Sequence, residues 1–208
     1  GMDFLVEGAF QTAEKLREMG FTALGTNLTN EAVDEIYIRD VRGVPVAILA
    51  YTGSTNKYKL TLDGEDAKWT MNYYSAERLE KDVTAARALG AKVIVMYLHE
   101  GTEKEDEPSR RQLAAANDAA ALGVDAVVMS HTHSLQGMEK RTVTVDGQEK
   151  TVFIAYSLGN FMSSAIHTES LNNIVLNLDF TYDWDQDRLT SLDASYLLTY
   201  TYNFYNDQ

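Results

Sequence analysis

Cysteine is absent from this 208-residue chain, which excludes disulfides and thiolate-bound metals. Also lacking is any apolar run near the about 18–20 residues that cross a bilayer as a helix. The N-terminus has no basic stretch followed by an apolar one, so it does not read as a signal peptide. Gly1 ahead of Met2 has the look of a tag-cleavage remnant, which leaves export open. Positive charge is scarce: 18 Lys and Arg against 31 Asp and Glu give a formal net charge of −13. A field of that sign repels nucleic acid and anionic lipid, so neither is an expected partner, and an anionic polymer would need intervening cations. Histidine is sparse too, with four in all, yet two of them stand two apart in VMSHTHSLQGMEK.

What is present is ordinary for a globular domain. Hydrophobic residues make up 45% and charged residues 24%, and the length suits a single domain, 1–208, with a real core. Apolar positions at helical spacing predict a helix over 8–19, stopped by Gly20. FTALGTN follows as an expected buried strand, and residues 35–51 read as two antiparallel strands joined near Arg42-Gly43. The polar stretch 53–72 is expected to be a surface excursion. Ser75 caps a predicted helix to Leu89, with Glu77 and Lys81 as an i,i+4 pair. KVIVMYL is a buried strand ending at His99; a helix from Ser109 to Leu122 follows, then the strand DAVVM ending in SHTH. Strand, helix, strand with short links predicts neighbouring parallel strands. RTVTVDGQEKTVFIAYS predicts a hairpin turning at Asp146-Gly147. The long alternating strands NNIVLNLDFTYD and RLTSLDASYLLTYTYN predict either a second sheet or the far side of the same one.

Ligands of an α/β sheet gather beyond the carboxyl ends of its parallel strands. His99, His131 and His133 lie at two such ends, and without cysteine such a set suits a divalent Zn, Mn or Fe ion. The spacing leaves two arrangements open: all three rings on one centre, or a division between two centres about 3.5–4 Å apart. Three neutral imidazoles alone would hold an ion weakly and release it below about pH 6. His167, in a polar stretch, is expected to be a surface residue.

The segment from YLHEGTEKEDEPSRRQLAAANDAAALGVDAVVMSHTHSLQGME to IAYSLGNFM resembles the CapA-type poly-γ-glutamate capsule proteins of the calcineurin-like metallophosphoesterase superfamily. His99, Gly101, Glu103, Pro108, Gln112, Gly123, Asp125, His131, His133, Gln136, Glu139 and Tyr156 to Phe161 take the family's places in order. Upstream, Asp3 and Gly8 match more weakly. The resemblance implies a two-sheet β-sandwich flanked by helices, here a truncated α/β (α+β) form with a parallel βαβ core and C-terminal antiparallel strands. It implies a metal-dependent hydrolase with two divalent ions (Mn, Zn or Fe) in the full domain. His99 and His131 are then ligands to one or both ions and His133 to the other. Asn160, Gln136 and Glu139 are implied substrate contacts, and Glu103 or Glu139 could orient rings. The implied substrate is an anionic polymer or a phosphoester, handled at the cell surface by a membrane-anchored full-length form.

Three departures accompany the resemblance. The family's opening strand, with its Asp ligands and Asn-His pair, has no counterpart before Asp3, so the chain is expected to be the C-terminal half to two-thirds of a larger domain. Glu100 stands where a Trp is usual, and Ser130 where a Gly often precedes the histidines. The chain alone is therefore expected to be inactive, or to serve as a catalytically silent binding module. Apolar strand edges left uncovered predict a homo-oligomer.

Overall fold

A computed structural model describes residues 5–53, 55, 68–163 and 167–202. Asp3 and most of the expected excursion over 53–72 lie outside them. The elements are α1 (Leu5–Glu18), β1 (Ile38–Val41), β2 (Val44–Thr52), α2 (Ala76–Ala88), β3 (Val93–His99), α3 (Arg110–Ala121), β4 (Ala126–Ser130), β5 (Met138–Val145), β6 (Gln148–Ala155), β7 (Asn172–Asp183) and β8 (Arg188–Tyr200). The fold is mixed α/β, as the patterning implied.

Six strands form one sheet in the order β1-β2-β3-β4-β6-β5, while β7 and β8 pair as a separate two-stranded sheet. β2, β3, β4 and β6 run parallel, and β1 and β5 are antiparallel edges. The two hairpins of the six-stranded sheet turn where a left-handed backbone is needed, at Arg42-Gly43 (φ 55 and 90) and Asp146-Gly147 (φ 51 and 78), the conformation of a type I′ turn. The Ser75 hydroxyl accepts from the Arg78 N–H to open α2. Ser109 and Gln112 exchange a reciprocal capping box that opens α3, satisfying donors the helix cannot.

Strand alternation sends two sets of side chains to opposite faces. Ile94, Met96, Leu98, Val127, Met129 and Ile154 pack with Leu79, Val83, Ala86, Ala115, Ala116 and Ala119 of α2 and α3. On the other face Ala126, Phe153 and Ala155 meet Leu192, with Val95, Leu176, Leu178 and Phe180 around them. The β7–β8 ribbon covers only part of that face, and Tyr97 on β3 stays 41% exposed.

Two expectations fail. FTALGTN forms no strand; only a single bridge joins Thr26 to Met71, because Gly25 (φ 81) turns the backbone away from an extended path. Lys81 does not pair with Glu77 but reaches Asp34 at 2.7 Å, which a short 3-10 turn at Glu31–Asp34 brings within range.

Candidate metal and substrate site

The site lies at the carboxyl tips of β3 and β4. His99 ends β3 opposite Ser130, on the face shared with Val95 and Tyr97. The Tyr97 hydroxyl lies 2.5 Å from the Ser130 hydroxyl. The ring centroids of His99 and His131 are 4.5 Å apart, and those of His131 and His133 are 6.5 Å apart. His131 thus has a histidine ring near it on each side, His99 and His133.

The His-Thr-His loop is locally strained. His131 (φ 124) and His133 (φ 60) occupy left-handed backbone, which costs a β-carbon residue about 1–3 kcal/mol and must be held by its surroundings. Thr132 between them is fully buried; its hydroxyl donates to the Ser134 carbonyl at 2.8 Å and lies 2.9 Å from the Ser157 hydroxyl. The Lys104 N–H donates to the Thr132 carbonyl at 2.7 Å. His131 is left half-buried and His133 exposed, while Thr132 anchors inward.

Burial first, and then the charges of His131 and His133, push the His99 imidazole down to about 4. A neutral ring with a free lone pair is the form that binds a cation. His133 is exposed, and its Nδ1 lies 2.7 Å from the Asn160 Oδ1. The Asn160 amide nitrogen faces the His133 carbonyl, which only accepts, so the Asn160 oxygen must receive a proton from Nδ1. That leaves Nε2 of His133 as the acceptor, the arrangement by which an outer partner sets a ligand's tautomer. Asn160 is itself fixed by its N–H to the Asn173 side chain, over Gly159, where any β-carbon would collide with Asn173.

A divalent cation fits the chemistry of these donors but not as a self-sufficient centre. Among the described residues, no group of three His, Cys, Asp or Glu side chains is placed to hold one ion. Of the two arrangements left open by spacing, three rings on one centre is not the one built here.

Gln136 and Glu139, expected to contact substrate, are engaged elsewhere. Gln136 is buried; its amide donates to the Glu105 and Glu107 carbonyls and accepts from Gln112, so it holds the 101–109 loop down. Gln112, fully buried, also donates to the Tyr156 carbonyl. Glu139 lies on the opposite face of the sheet, where hydrogen bonds from Tyr156 and then Arg141 hold its carboxyl below the usual range. Glu103 is exposed, and His167 is a surface residue whose Nε2 lies 2.9 Å from the Lys104 ammonium. A cavity of about 820 Å³ lies at the other end of the strands, beside Lys92, Lys150, Asp125 and Asp187. Its charges pair with one another, and no histidine lines it.

Sequence reasoning passed over the surroundings of Glu100. Its buried carboxylate accepts from the Gly101 N–H and pairs with Arg111 at 3.0 Å. Glu100 was visible only as an odd residue, and Arg111 carried no signal.

The fold is similar to that of Haemophilus influenzae NAD nucleotidase, 15% identical with a TM-score of 0.53, over 93% of this chain and 37% of that one. The family described as "Bacterial capsule synthesis protein PGA_cap" matches residues 1–165. The chain belongs to that family, and the CapA-type kinship expected from the motifs holds. It is 28% identical over 163 residues to the capsule biosynthesis protein CapA of Bacillus anthracis, a match covering 77% of this chain and 37% of that protein. It is 27% identical over 166 residues to the PGA biosynthesis protein CapA of Bacillus subtilis, covering 77% and 40%. The chain thus spans about two-fifths of the length of these relatives.

Proposed function

We propose that the chain supplies the imidazole side of a divalent-cation site in a CapA-type hydrolase of the cell envelope, acting on a poly-γ-glutamate chain or a phosphoester. The observation that carries this reading is the meeting of His99, His131 and His133 at adjacent strand tips, with His133 held in one tautomer by Asn160. These three would hold Mn, Zn or Fe, with carboxylates from a further segment completing the coordination. A bound cation supplies electrophilic activation and charge neutralisation for hydrolysis. The chain's own part is to keep His99 neutral through burial and to present Nε2 of His133. The buried Gln112–Gln136 pair fixes the loop that follows His99.

A second reading has its own support: the lack of a three-ligand group among the described residues favours a catalytically silent module that handles an anionic polymer by surface contact. Elemental analysis after dialysis, combined with hydrolysis assays on p-nitrophenyl phosphate and on poly-γ-glutamate, separates the two. In a longer form that carries the completing carboxylates, metal uptake abolished by His131→Ala supports the hydrolase reading; no uptake by that form at neutral pH refutes it.

Self-association fits either reading. On β8, Tyr196, Leu197, Leu198 and Tyr200 are each more than 60% exposed, and residues 195–203 carry no charge. A long, neutral, apolar edge in a chain of net charge −13 is where a second copy can approach.

A further inference from the structure

Glu100 directly follows His99 at the tip of β3, and its side chain is 7% exposed. One carboxylate oxygen accepts the Gly101 N–H at 3.0 Å, and the other takes Nη2 of Arg111 at 3.0 Å. The carboxylate occupies a notch left by Gly53, where any β-carbon would overlap it. Gly53 in turn donates its N–H to the His99 carbonyl at 2.9 Å, and its own carbonyl accepts from Arg111 Nη2 at 3.1 Å. One guanidinium nitrogen is therefore tied to the loops that leave both β2 and β3.

The rest of that guanidinium is open. The Arg111 side chain is 68% exposed, and its Nε and Nη1 carry no hydrogen bond among the described residues. Energetics argue that this arrangement is not there for stability. Burying a carboxylate is costly, whereas attraction to a largely solvated partner returns little of that cost. An uncharged side chain at position 100 would fill the notch without that penalty. What the pair does achieve is a guanidinium held at one nitrogen, with its remaining donors unpaired among the described residues. Such a fork matches the two oxygens of a carboxylate or phosphate and loses little freedom on binding.

We propose that Arg111 is a binding fork for a substrate oxyanion, carboxylate or phosphate, held beside the carboxyl tips of β2 and β3 by the buried Glu100 that follows His99. The assignment rests on the proposed function only in calling that anion part of a substrate. In a chain with this much negative charge, the fork gives an anionic ligand a fixed cationic contact beside the loop that leaves β2.

The test is an NMR titration of the metal-free chain, in chelator, with inorganic phosphate and separately with γ-glutamylglutamate. Saturable shifts of the Arg111 Nε–Hε signal and of the Gly53 and Gly101 amides are expected with at least one of them. A response to phosphate alone assigns the fork to phosphoesters, and one to the dipeptide alone assigns it to the polymer. Arg111→Lys, which keeps the charge but not the fork, is expected to weaken binding about tenfold. Arg111→Ala would leave Glu100 buried without its partner, so the double variant Glu100→Gln/Arg111→Ala supplies a charge-balanced comparison, and its amide shifts are expected to disappear. Unchanged affinity in the double variant, or no Arg111 response to either anion, overturns the proposal. Because the readout needs no metal, failed metal uptake leaves this assignment standing, and its failure leaves the histidine site standing.

Discussion

Nδ1 of His133 and Oδ1 of Asn160 are 2.7 Å apart, a contact that joins the His-Thr-His loop to the turn after β6 across twenty-seven residues of chain. It converts an exposed imidazole, free to choose either tautomer, into one with a defined acceptor nitrogen.

Asn160→Ala is expected to release that choice. Nitrogen-15 spectra should show His133 mainly as the Nδ1–H tautomer in the parent and as a mixture in the variant, with divalent-metal affinity down about 10- to 100-fold. Unchanged spectra would remove Asn160 from the site.

Acid should weaken the metal-free fold through His99. The unfolded ring takes its proton near the ordinary value of about 6.5, but burial and then the neighbouring histidines push the folded ring down to about 4. Between those values the unfolded state binds more protons, so stability falls as pH drops from about 6.5 to about 4 and levels off below. Urea unfolding at pH 7 and pH 4.5 checks this. His99→Gln should show a shallower fall than the parent, and equal slopes would refute the assignment.

Lys150→Met is expected to destabilise the chain by about 3–5 kcal/mol, because it strands a buried charge. Asp125 is 2% exposed and meets Lys150 at 2.9 Å, and its pKa is already raised, mainly by burial. Pairing the change with Asp125→Asn should recover much of the loss in urea denaturation.

Gln112→Leu leaves the Tyr156 carbonyl and the Gln136 side chain short of a donor. A loss of about 1–3 kcal/mol is expected for each buried group left unpaired. Hydrogen exchange should quicken at Lys104 and along the 101–109 loop, while β3 and β4 keep their protection.

Light scattering at micromolar concentration is expected to give a dimer or larger species. Leu198→Lys, on the exposed part of β8, should shift it to monomer by placing charge on the open edge. A parent that is monomeric throughout would contradict the self-association proposal.

Much of this molecule is legible as text. The parallel core follows from apolar runs that end at His99 and Ser130, and the helices from Ser75, Ser109 and the glycines after them. The hairpins follow from Arg42-Gly43 and Asp146-Gly147. FTALGTN misled because a strand needs a neighbour as well as apolar residues, and Gly25 bends the chain before one is reached. In the site, the histidines could be read because strand tips are where ligands collect. The partners of Gln136 and Glu139 could not be read because a motif gives order along the chain, not where each side chain points. The Glu100–Arg111 pair was hidden since only the notch at Gly53 explains why a carboxylate can sit there at all.

The backbone at His131 carries one more implication. A glycine there would accept φ 124 without complaint, and the molecule would gain ruggedness while giving up an imidazole. Libraries screened for heat resistance alone should therefore drift toward glycine at this position, and the toughest survivors would be blunted ones.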